Sequence, residues 1–366
     1  MLRFQRPSLP STDEIDRYLD LSRADHWFSN RGPCWRLLRD RLAERAGAYC
    51  VPVSSGTLGL MVALSAVVEA RGGNRGGSAL MPSFTFVATP QAAIWAGLEP
   101  RLCDVASDHW HLDPAVLEQT LREGPASVAI PVSAFGTPPP AETRARWEAA
   151  CSAAGVPMVV DSAAGFGSIA EDGVPVGAQG DVEVVSFHAT KPFAVGEGGA
   201  IFTRDRELHE RIERVVNFGL RPDRSVSTAW GLNAKMSELH AAAALAVLDR
   251  LDQILASRRA AAARIRQRAG STVSWQAGCD RSTWQFVPAA LPDGEARRRA
   301  AAAAEGAVET RLYYEPVHEL LPVSSVAAAA GQPLTRTAEL HERILCLPMA
   351  NDLDDSELEA ISAVLA

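Results

Sequence analysis

Short apolar runs alternate with helical patterns through the first two thirds of this chain. The strand-like runs lie at 78–82, 101–105, 127–132, 157–160, 182–187 and 200–203. Helix-like stretches, such as 57–70 and 140–154, lie between several of them. Strands that alternate with helices form a largely parallel sheet with helices on its faces. Nearly continuous apolar runs such as VEVVSF are typical of strands buried on both faces. The pattern therefore predicts an α/β fold.

A longer helical pattern follows, from about Lys235 to Ala269. Its apolar residues recur at steps of three and four, which places them on one face of a helix. A helix of this length often bridges domains, and 366 residues are enough for two. We therefore predict a large domain at 20–248 and a smaller C-terminal domain at 249–366, after an N-terminal segment at 1–19.

The composition argues against several classes of protein. Hydrophobic residues make up 47% of the chain and charged residues 22%, as in globular proteins with a large core. No apolar run reaches the roughly 18 residues that span a bilayer, and the N-terminus lacks the apolar segment of a signal peptide. The net charge of −8 makes nucleic acid an unexpected partner. Six scattered cysteines without a Cys-x-x-Cys pair suggest reduced thiols in a cytoplasmic protein.

Lysine is rare in this chain, and one of its lysines stands in an unusual place. Of 36 lysines and arginines, only Lys191 and Lys235 are lysines. Lys191 lies in SFHATKPFAVGEGGAIF, between a strand-like run and a glycine-rich turn. An apolar setting lowers the pKa of a lysine, and the neutral amine can form a Schiff base with an aldehyde or ketone. The alternative is a structural lysine at the mouth of a loop, which the scarcity of lysine elsewhere disfavours.

A second segment, VSSGTLGL, places small polar residues and Gly56 just before an apolar helix. The unpaired N–H groups of the first helical turn and the helix dipole suit a phosphate. Glycine lets the backbone approach such a ligand closely. Taken alone, the segment is better explained by an ordinary serine N-cap.

Two further segments follow strand-like runs. Asp161 ends the run in VVDSAAGFG, and a carboxylate at this edge of a sheet can bind a ligand or cap the next turn. Phe84 and Phe86 lie in MPSFTFVAT, where an aromatic side chain can stack on a flat ring or belong to the core. Together with Lys191 and Gly56, these residues suit a ligand with a phosphate, a flat ring, a ring nitrogen and an aldehyde. Pyridoxal 5′-phosphate (PLP) has all four.

The same segments resemble those of the DegT–StrS sugar aminotransferases, which are PLP enzymes of fold type I, the aspartate-aminotransferase fold. The matching segments, in chain order, are WFSNRGP, SSGTLGL, PSFTFVAT, SFHATKPFAVGEGGAI, GLNAKMSELHAAAAL and LCLPM. The resemblance therefore runs nearly from end to end. It implies a large domain with a mostly parallel mixed sheet flanked by helices, and a smaller C-terminal α+β domain.

The resemblance also implies roles for individual residues. Lys191 corresponds to the lysine that bonds covalently to the cofactor and carries protons, and Asp161 to the partner of the pyridine nitrogen. The remaining cofactor-binding positions are Gly56, Thr57 and Ser186 at the phosphate, Phe86 against the ring, and Asn233, which reaches the phosphate from the partner subunit. The resemblance thus implies a homodimer with shared active sites.

Tyr313 and His318, in YYEPVH, correspond to a substrate-side segment. The chain departs from the family at Ala164, where His or Gln is common, and at Lys235, where arginine is usual. Relatives that carry histidine in place of the cofactor lysine are dehydratases. Lys191 disfavours that activity, and His188 lies three residues too early to be such a histidine.

The implied reaction is transfer of an amino group from L-glutamate to the keto group of a nucleotide-linked deoxysugar. A dTDP-linked sugar is favoured, at carbon 3 or carbon 4, with a 4-keto-6-deoxyhexose as the first choice. The main alternative is an aminocyclitol aminotransferase of the inosose type, as in antibiotic biosynthesis. A PLP-dependent sugar dehydratase and a non-catalytic PLP-binding regulator are less favoured. The sequence suggests no metal site.

Overall fold

The structure is a computed structural model that describes residues 1–70, 76–322, 327–328 and 333–366. The helices are α1 (Thr12–Ala24), α2 (Pro33–Ala46), α3 (Gly56–Ala70), α4 (Ala88–Trp95), α5 (Pro114–Glu123), α6 (Ala141–Ala154), α7 (Arg206–Val216), α8 (Glu238–Leu248), α9 (Leu251–Arg268), α10 (Gly294–Ala304), α11 (Val317–Leu320), α12 (Thr335–Arg343) and α13 (Asp355–Ala363). The strands are β1 (Tyr49–Val53), β2 (Ser78–Pro82), β3 (Glu99–Cys103), β4 (Val128–Ala129), β5 (Val159–Asp161), β6 (Val182–Ser186), β7 (Gly199–Thr203), β8 (Val287–Ala290), β9 (Ala327–Ala328) and β10 (Ile344–Leu347).

The main sheet is mixed, as predicted. One part has the order β1-β7-β6-β5, in which β5 and β6 are parallel and β7 is antiparallel to both of its neighbours. The other part has the order β4-β2-β3-β9, and all of its pairs are parallel. Parallel bridges from Ala129 to Met158 and from Val132 to Asp161 join the two parts. The two parts therefore form one main sheet with helices packed against it, and β8 and β10 form a separate antiparallel pair.

Strand β1 is missing from the strands that the sequence predicts. Its sequence, YCVPV, contains Pro52, and proline disfavours a strand interior because it cannot donate a ladder hydrogen bond. The structure accommodates Pro52 opposite Ala200 of β7, in an antiparallel pair at the end of the strand order. Here the pairing with a distant strand overrides the local preference.

The prediction of a single long helix from Lys235 to Ala269 is wrong, because the structure has two helices there, α8 and α9. The side chain of Ser237 caps α8 by accepting from the N–H of His240, so the helix begins three residues later than predicted. Asp249 and Arg250 lie between the two helices, and Arg250 has non-helical backbone angles (φ −112°, ψ 0°). The domain boundary proposed at 248/249 falls at this break and stays a prediction.

The buried apolar residues fall mainly into two large clusters. The larger cluster packs helices such as α2, α3 and α8 against strands β1, β6 and β7. The second lies in the C-terminal part, between α9, α13 and the antiparallel pair of β8 and β10. All six cysteines are buried free thiols. Within the described ranges, every helix is too short or too polar to cross a membrane.

Candidate active site

A cleft of about 400 Å³ opens where β5 and β6 end and α3 begins. It brings together residues that lie far apart in the sequence. Of the predicted site residues, the cleft is lined by Gly56, Thr57, Phe86, Asp161, Ser186, Lys191 and Tyr313. The edge formed by the carboxyl ends of parallel strands is where open α/β sheets bind ligands.

Asp161 is the last residue of β5, and its carboxylate is only 4% exposed. Oδ2 accepts a hydrogen bond of 2.7 Å from the hydroxyl of Thr89, and Oδ1 accepts one of 3.1 Å from the N–H of Ala163. Burial raises the pKa of Asp161, while these two hydrogen bonds and the nearby Lys191 oppose that rise. The carboxylate is thus held in a fixed position at the cleft, beside a positive partner. It also caps the next turn, as the alternative interpretation predicted.

Lys191 lies on the loop between β6 and β7, which folds back on itself. The N–H of Lys191 donates to the carbonyl of His188 at 2.8 Å, and the N–H of Val195 donates to the carbonyl of Phe187 at 2.9 Å. The amine Nζ donates to Oε1 of Gln285 at 3.3 Å. Burial lowers the pKa of Lys191 to about 8, and the charge of Asp161 limits that decrease. The amine therefore loses its proton more readily than an exposed lysine does.

Helix α3 begins at the cleft, and its N-terminus meets β6 closely. Ser55 caps the helix, because its hydroxyl accepts from the N–H of Leu58 at 3.2 Å. A Cβ on Gly56 would stand 2.8 Å from Cβ of Ser186, so only glycine permits this approach. The first-turn N–H groups have no acceptor within the helix and carry the positive end of its dipole. The segment therefore contains the capped helix start of one interpretation, and phosphate binding at its glycine cradle stays a prediction.

The structure separates the two phenylalanines of MPSFTFVAT. Phe84 is fully buried, with its ring edge-on to Phe135 and Tyr314 at centroid distances of 6.0 and 5.5 Å. Phe86 is 54% exposed and lines the cleft. Phe84 is therefore the core residue, and Phe86 is the one whose ring is free to stack on a ligand.

Tyr313, Asn233 and His318 are placed differently from one another. Tyr313 lines the cleft and stacks on Phe286, with ring centroids 5.3 Å apart. His318 lies outside the cleft lining, where its Nδ1 is 2.7 Å from the hydroxyl of Ser83. Asn233 is exposed and also lies outside the lining of this subunit's cleft. Its contact with a partner subunit stays a prediction, as does the substrate-side role of His318.

Ala164, where the sequence departs from the family, lines the cleft, and its carbonyl accepts from the hydroxyl of Thr283. The cleft also contains residues that the sequence did not indicate. Gln285, Arg311 and Tyr314 come from the C-terminal part of the chain. These residues lack a local signal such as a glycine turn or strand end, because the tertiary fold alone brings them to the cleft.

The residues present fit PLP. The glycine cradle suits its phosphate, the buried carboxylate its ring nitrogen, and the amine of lowered pKa its aldehyde. Within the described part of the chain, no group of His, Cys, Asp and Glu side chains could hold a metal ion.

Comparisons with known proteins show what this chain is similar to. The model of the DegT/DnrJ/EryC1/StrS aminotransferase family matches residues 11–366. The chain is 34% identical to protein Rv3402c of Mycobacterium tuberculosis, over 99% of this chain and 89% of that protein. It is 30% identical to a dTDP-4-amino-4,6-dideoxy-D-glucose transaminase of Shigella dysenteriae, over 98% and 97%. The crystal structure of DesI with its TDP-sugar product superposes with a TM-score of 0.88 at 31% identity, over 100% of this chain and 92% of that one.

Proposed function

This chain belongs to the DegT/DnrJ/EryC1/StrS aminotransferase family, and from that premise we propose which substrates it uses and which residues carry the reaction. It is a PLP-dependent aminotransferase of fold type I. We propose that it moves an amino group from L-glutamate to the keto group of a dTDP-linked keto-deoxysugar, with a 4-keto-6-deoxyhexose as the favoured acceptor. The Shigella relative and the TDP-sugar product bound to DesI support a sugar of this class.

The single observation that carries the proposal is the meeting of Lys191, Asp161 and Gly56 in one cleft. Bound PLP supplies an electron sink for the charge that develops when the α-proton of the amino donor is removed. Lys191 supplies the amine that takes this proton on Nζ and later returns one, for which it must be neutral. The charge of Asp161 holds the ring nitrogen in its protonated form.

The remaining side chains bind and orient. Gly56 and Thr57 at the start of α3, with Ser186 at the end of β6, would hold the phosphate. The exposed ring of Phe86 would cover one face of the cofactor. Tyr313 would contact the substrate, since it lies on the side of the cleft formed by the C-terminal part of the chain. Asn233 would complete the phosphate site of a partner subunit in a homodimer, and His318 would lie near the substrate entrance.

The chain offers an unusually clean test, because it has only two lysines. We expect the purified protein with PLP to absorb in the visible, and borohydride to fix the cofactor on Lys191, as detected by peptide mass spectrometry. Lys191→Ala should abolish both the fixed cofactor and amino transfer. Lys235→Arg is the matched control and should retain both. A cofactor still fixed by borohydride in Lys191→Ala would show that the lysine assignment is wrong.

A second experiment tests the substrate. The holoenzyme is incubated with L-glutamate and a panel of keto acceptors, and 2-oxoglutarate and aminated product are measured. We expect turnover with dTDP-linked 4-keto-6-deoxyhexoses. Turnover with a keto-cyclitol but with none of the nucleotide sugars would show that the acceptor is a cyclitol. If no pyridoxamine phosphate forms after L-glutamate is added, L-glutamate is not the amino donor.

A further inference from the structure

The amine of Lys191 donates its hydrogen bond to a side chain that no sequence motif marks. Oε1 of Gln285 lies 3.3 Å from Nζ of Lys191, and Gln285 is only 4% exposed on the wall of the cleft. We propose that Gln285 is a positioning residue that orients the Lys191 amine at the cleft. This inference rests on the proposed function, because it requires Lys191 to be the reacting amine.

The chemistry of the two groups supports this role. A neutral amine has two N–H donors and one lone pair, and donation of one N–H to Gln285 restricts where the lone pair points. The amide oxygen carries no net charge, so it holds the amine without strongly favouring the ammonium form. A carboxylate in the same place would hold the amine too, but it would raise the pKa of the lysine. A glutamine therefore provides orientation while leaving the proton free to move.

The backbone of Gln285 is itself fixed by a buried arginine on α9. Arg258 donates from Nη1 to the carbonyls of Trp284 at 2.9 Å and Gln285 at 3.5 Å. Its Nε donates to Oδ1 of Asn351 at 2.7 Å. Three segments of the C-terminal part of the chain are thus tied together directly behind the amide. Because its backbone is held this way, Gln285 can keep the amine in one place.

Lys191 also lines a second, much smaller cavity of about 10 Å³. Thr190 and Gln285 likewise line both this cavity and the cleft, and Arg258 and Asn351 are among the other residues around the smaller one. Its volume is close to that of a single water molecule. Lys191 and Gln285 are therefore neighbours in the lining of both spaces.

Several titratable side chains line the two cavities around the amine. They are those of Arg6, Asp161, His188, Glu197, Arg258, Arg311, Tyr313 and Tyr314. Of these, Asp161 is the group whose charge acts most strongly on Lys191. A carboxylate at position 285 would add a negative charge to that of Asp161, and this new charge would lie at hydrogen-bond distance from the amine.

The experiment measures the amine directly in cofactor-free, full-length protein. Trace acetylation by acetic anhydride is followed between pH 6 and pH 10, and peptide mass spectrometry reports Lys191, with Lys235 as the internal standard. We expect a midpoint near pH 8 for Lys191 in the wild type. Gln285→Glu should raise this midpoint by about one to two pH units, so labelling at pH 8 falls by roughly five- to fiftyfold.

Gln285→Leu tests orientation without adding charge. Its Lys191 midpoint should stay within about half a pH unit of the wild-type value, because no charge is added or removed. PLP capture, followed by absorbance, should slow by roughly three- to tenfold, the equivalent of one lost hydrogen bond. Gln276→Leu is the matched control, since Gln276 is also buried but donates to the carbonyl of His109, away from the cleft.

The outcomes separate this proposal from the proposed function. If Gln285→Glu and Gln285→Leu both match the wild type, or if Gln276→Leu reproduces their effects, Gln285 is not a positioning residue. If the wild type forms no borohydride-stable bond at Lys191, the proposed function fails whatever the labelling shows. A change in Lys235 labelling in the position-285 variants would indicate general loosening of the fold and would also overturn the proposal.

Discussion

At the scale of single residues, the site depends on groups whose surroundings change their ordinary properties. Burial moves the pKa values of Lys191 and Asp161 in opposite directions, toward the neutral form of each. Each charge partly offsets the effect of burial on the other, because a nearby opposite charge favours the charged form. Lys191 therefore gives up its proton more readily than an exposed lysine, as its proposed role in moving the donor's proton requires.

Gly56 gives the sharpest prediction at this scale. In Gly56→Ala, the new Cβ would stand 2.8 Å from Cβ of Ser186, so helix α3 or strand β6 must shift. Overpacking costs about 1–3 kcal/mol, and we expect PLP affinity to fall roughly ten- to a hundredfold. A titration of cofactor-free protein with PLP, followed by absorbance, measures this. Gly124→Ala is the control, because a Cβ there meets no atom within 4 Å. Equal PLP affinity of the two variants would show that the close approach at Gly56 is not needed for cofactor binding.

At the scale of elements, a buried carboxylate joins helices that are distant in the sequence. Glu238, in the first turn of α8, accepts from the N–H groups of Cys34 and Trp35 at the start of α2. It also accepts from the hydroxyl of Ser22 in α1 at 2.8 Å. The negative charge lies at the positive end of α2, where the helix dipole favours it. One side chain thus replaces the missing side-chain cap of α2 and fixes α1, α2 and α8 together.

Glu238→Ala should therefore cost much more stability than a surface change. Removing the carboxylate leaves buried donors without an acceptor, and we expect the free energy of unfolding to fall by about 3 kcal/mol. Urea denaturation followed by circular dichroism measures the loss. Glu207→Ala is the control, since Glu207 occupies the first turn of α7 but is exposed, and it should change stability by less than about 0.5 kcal/mol. Similar losses of unfolding free energy in the two variants would show that Glu238 does not hold the three helices together.

At the scale of the whole molecule, buried titratable groups couple the fold to pH. His111 is fully buried, and burial lowers its pKa to about 3. Its Nε2 lies 3.0 Å from the carbonyl of Thr137, which fits a neutral ring that donates there. The unfolded chain binds a proton at His111 below about pH 6.5, whereas the folded chain binds one only near pH 3. This group therefore makes stability fall as the pH decreases from about 6.5 toward 3.

The corresponding prediction compares slopes rather than absolute stabilities. Between pH 6 and pH 4, the wild type should lose up to about 1.4 kcal/mol of stability per pH unit more than His111→Asn. Urea titrations at several pH values measure both. His26→Asn, at an exposed position, should keep the wild-type slope. If His111→Asn keeps that slope as well, the buried imidazole does not control acid stability.

The amino-acid sequence by itself determined the fold class, the cofactor and seven of the residues that meet in the cleft. It could do so because strand ends, glycine turns and a rare lysine are local signals, and parallel strands bring their carboxyl ends to one edge. The tertiary structure alone decided the course of β1, the break between α8 and α9, and the placement of Gln285 against Lys191. These features depend on contacts between residues that are far apart in the sequence, such as Tyr49 with Thr203 and Lys191 with Gln285. Local propensity does not encode such contacts, because their energy comes from packing and hydrogen bonding that exist only after the chain has folded.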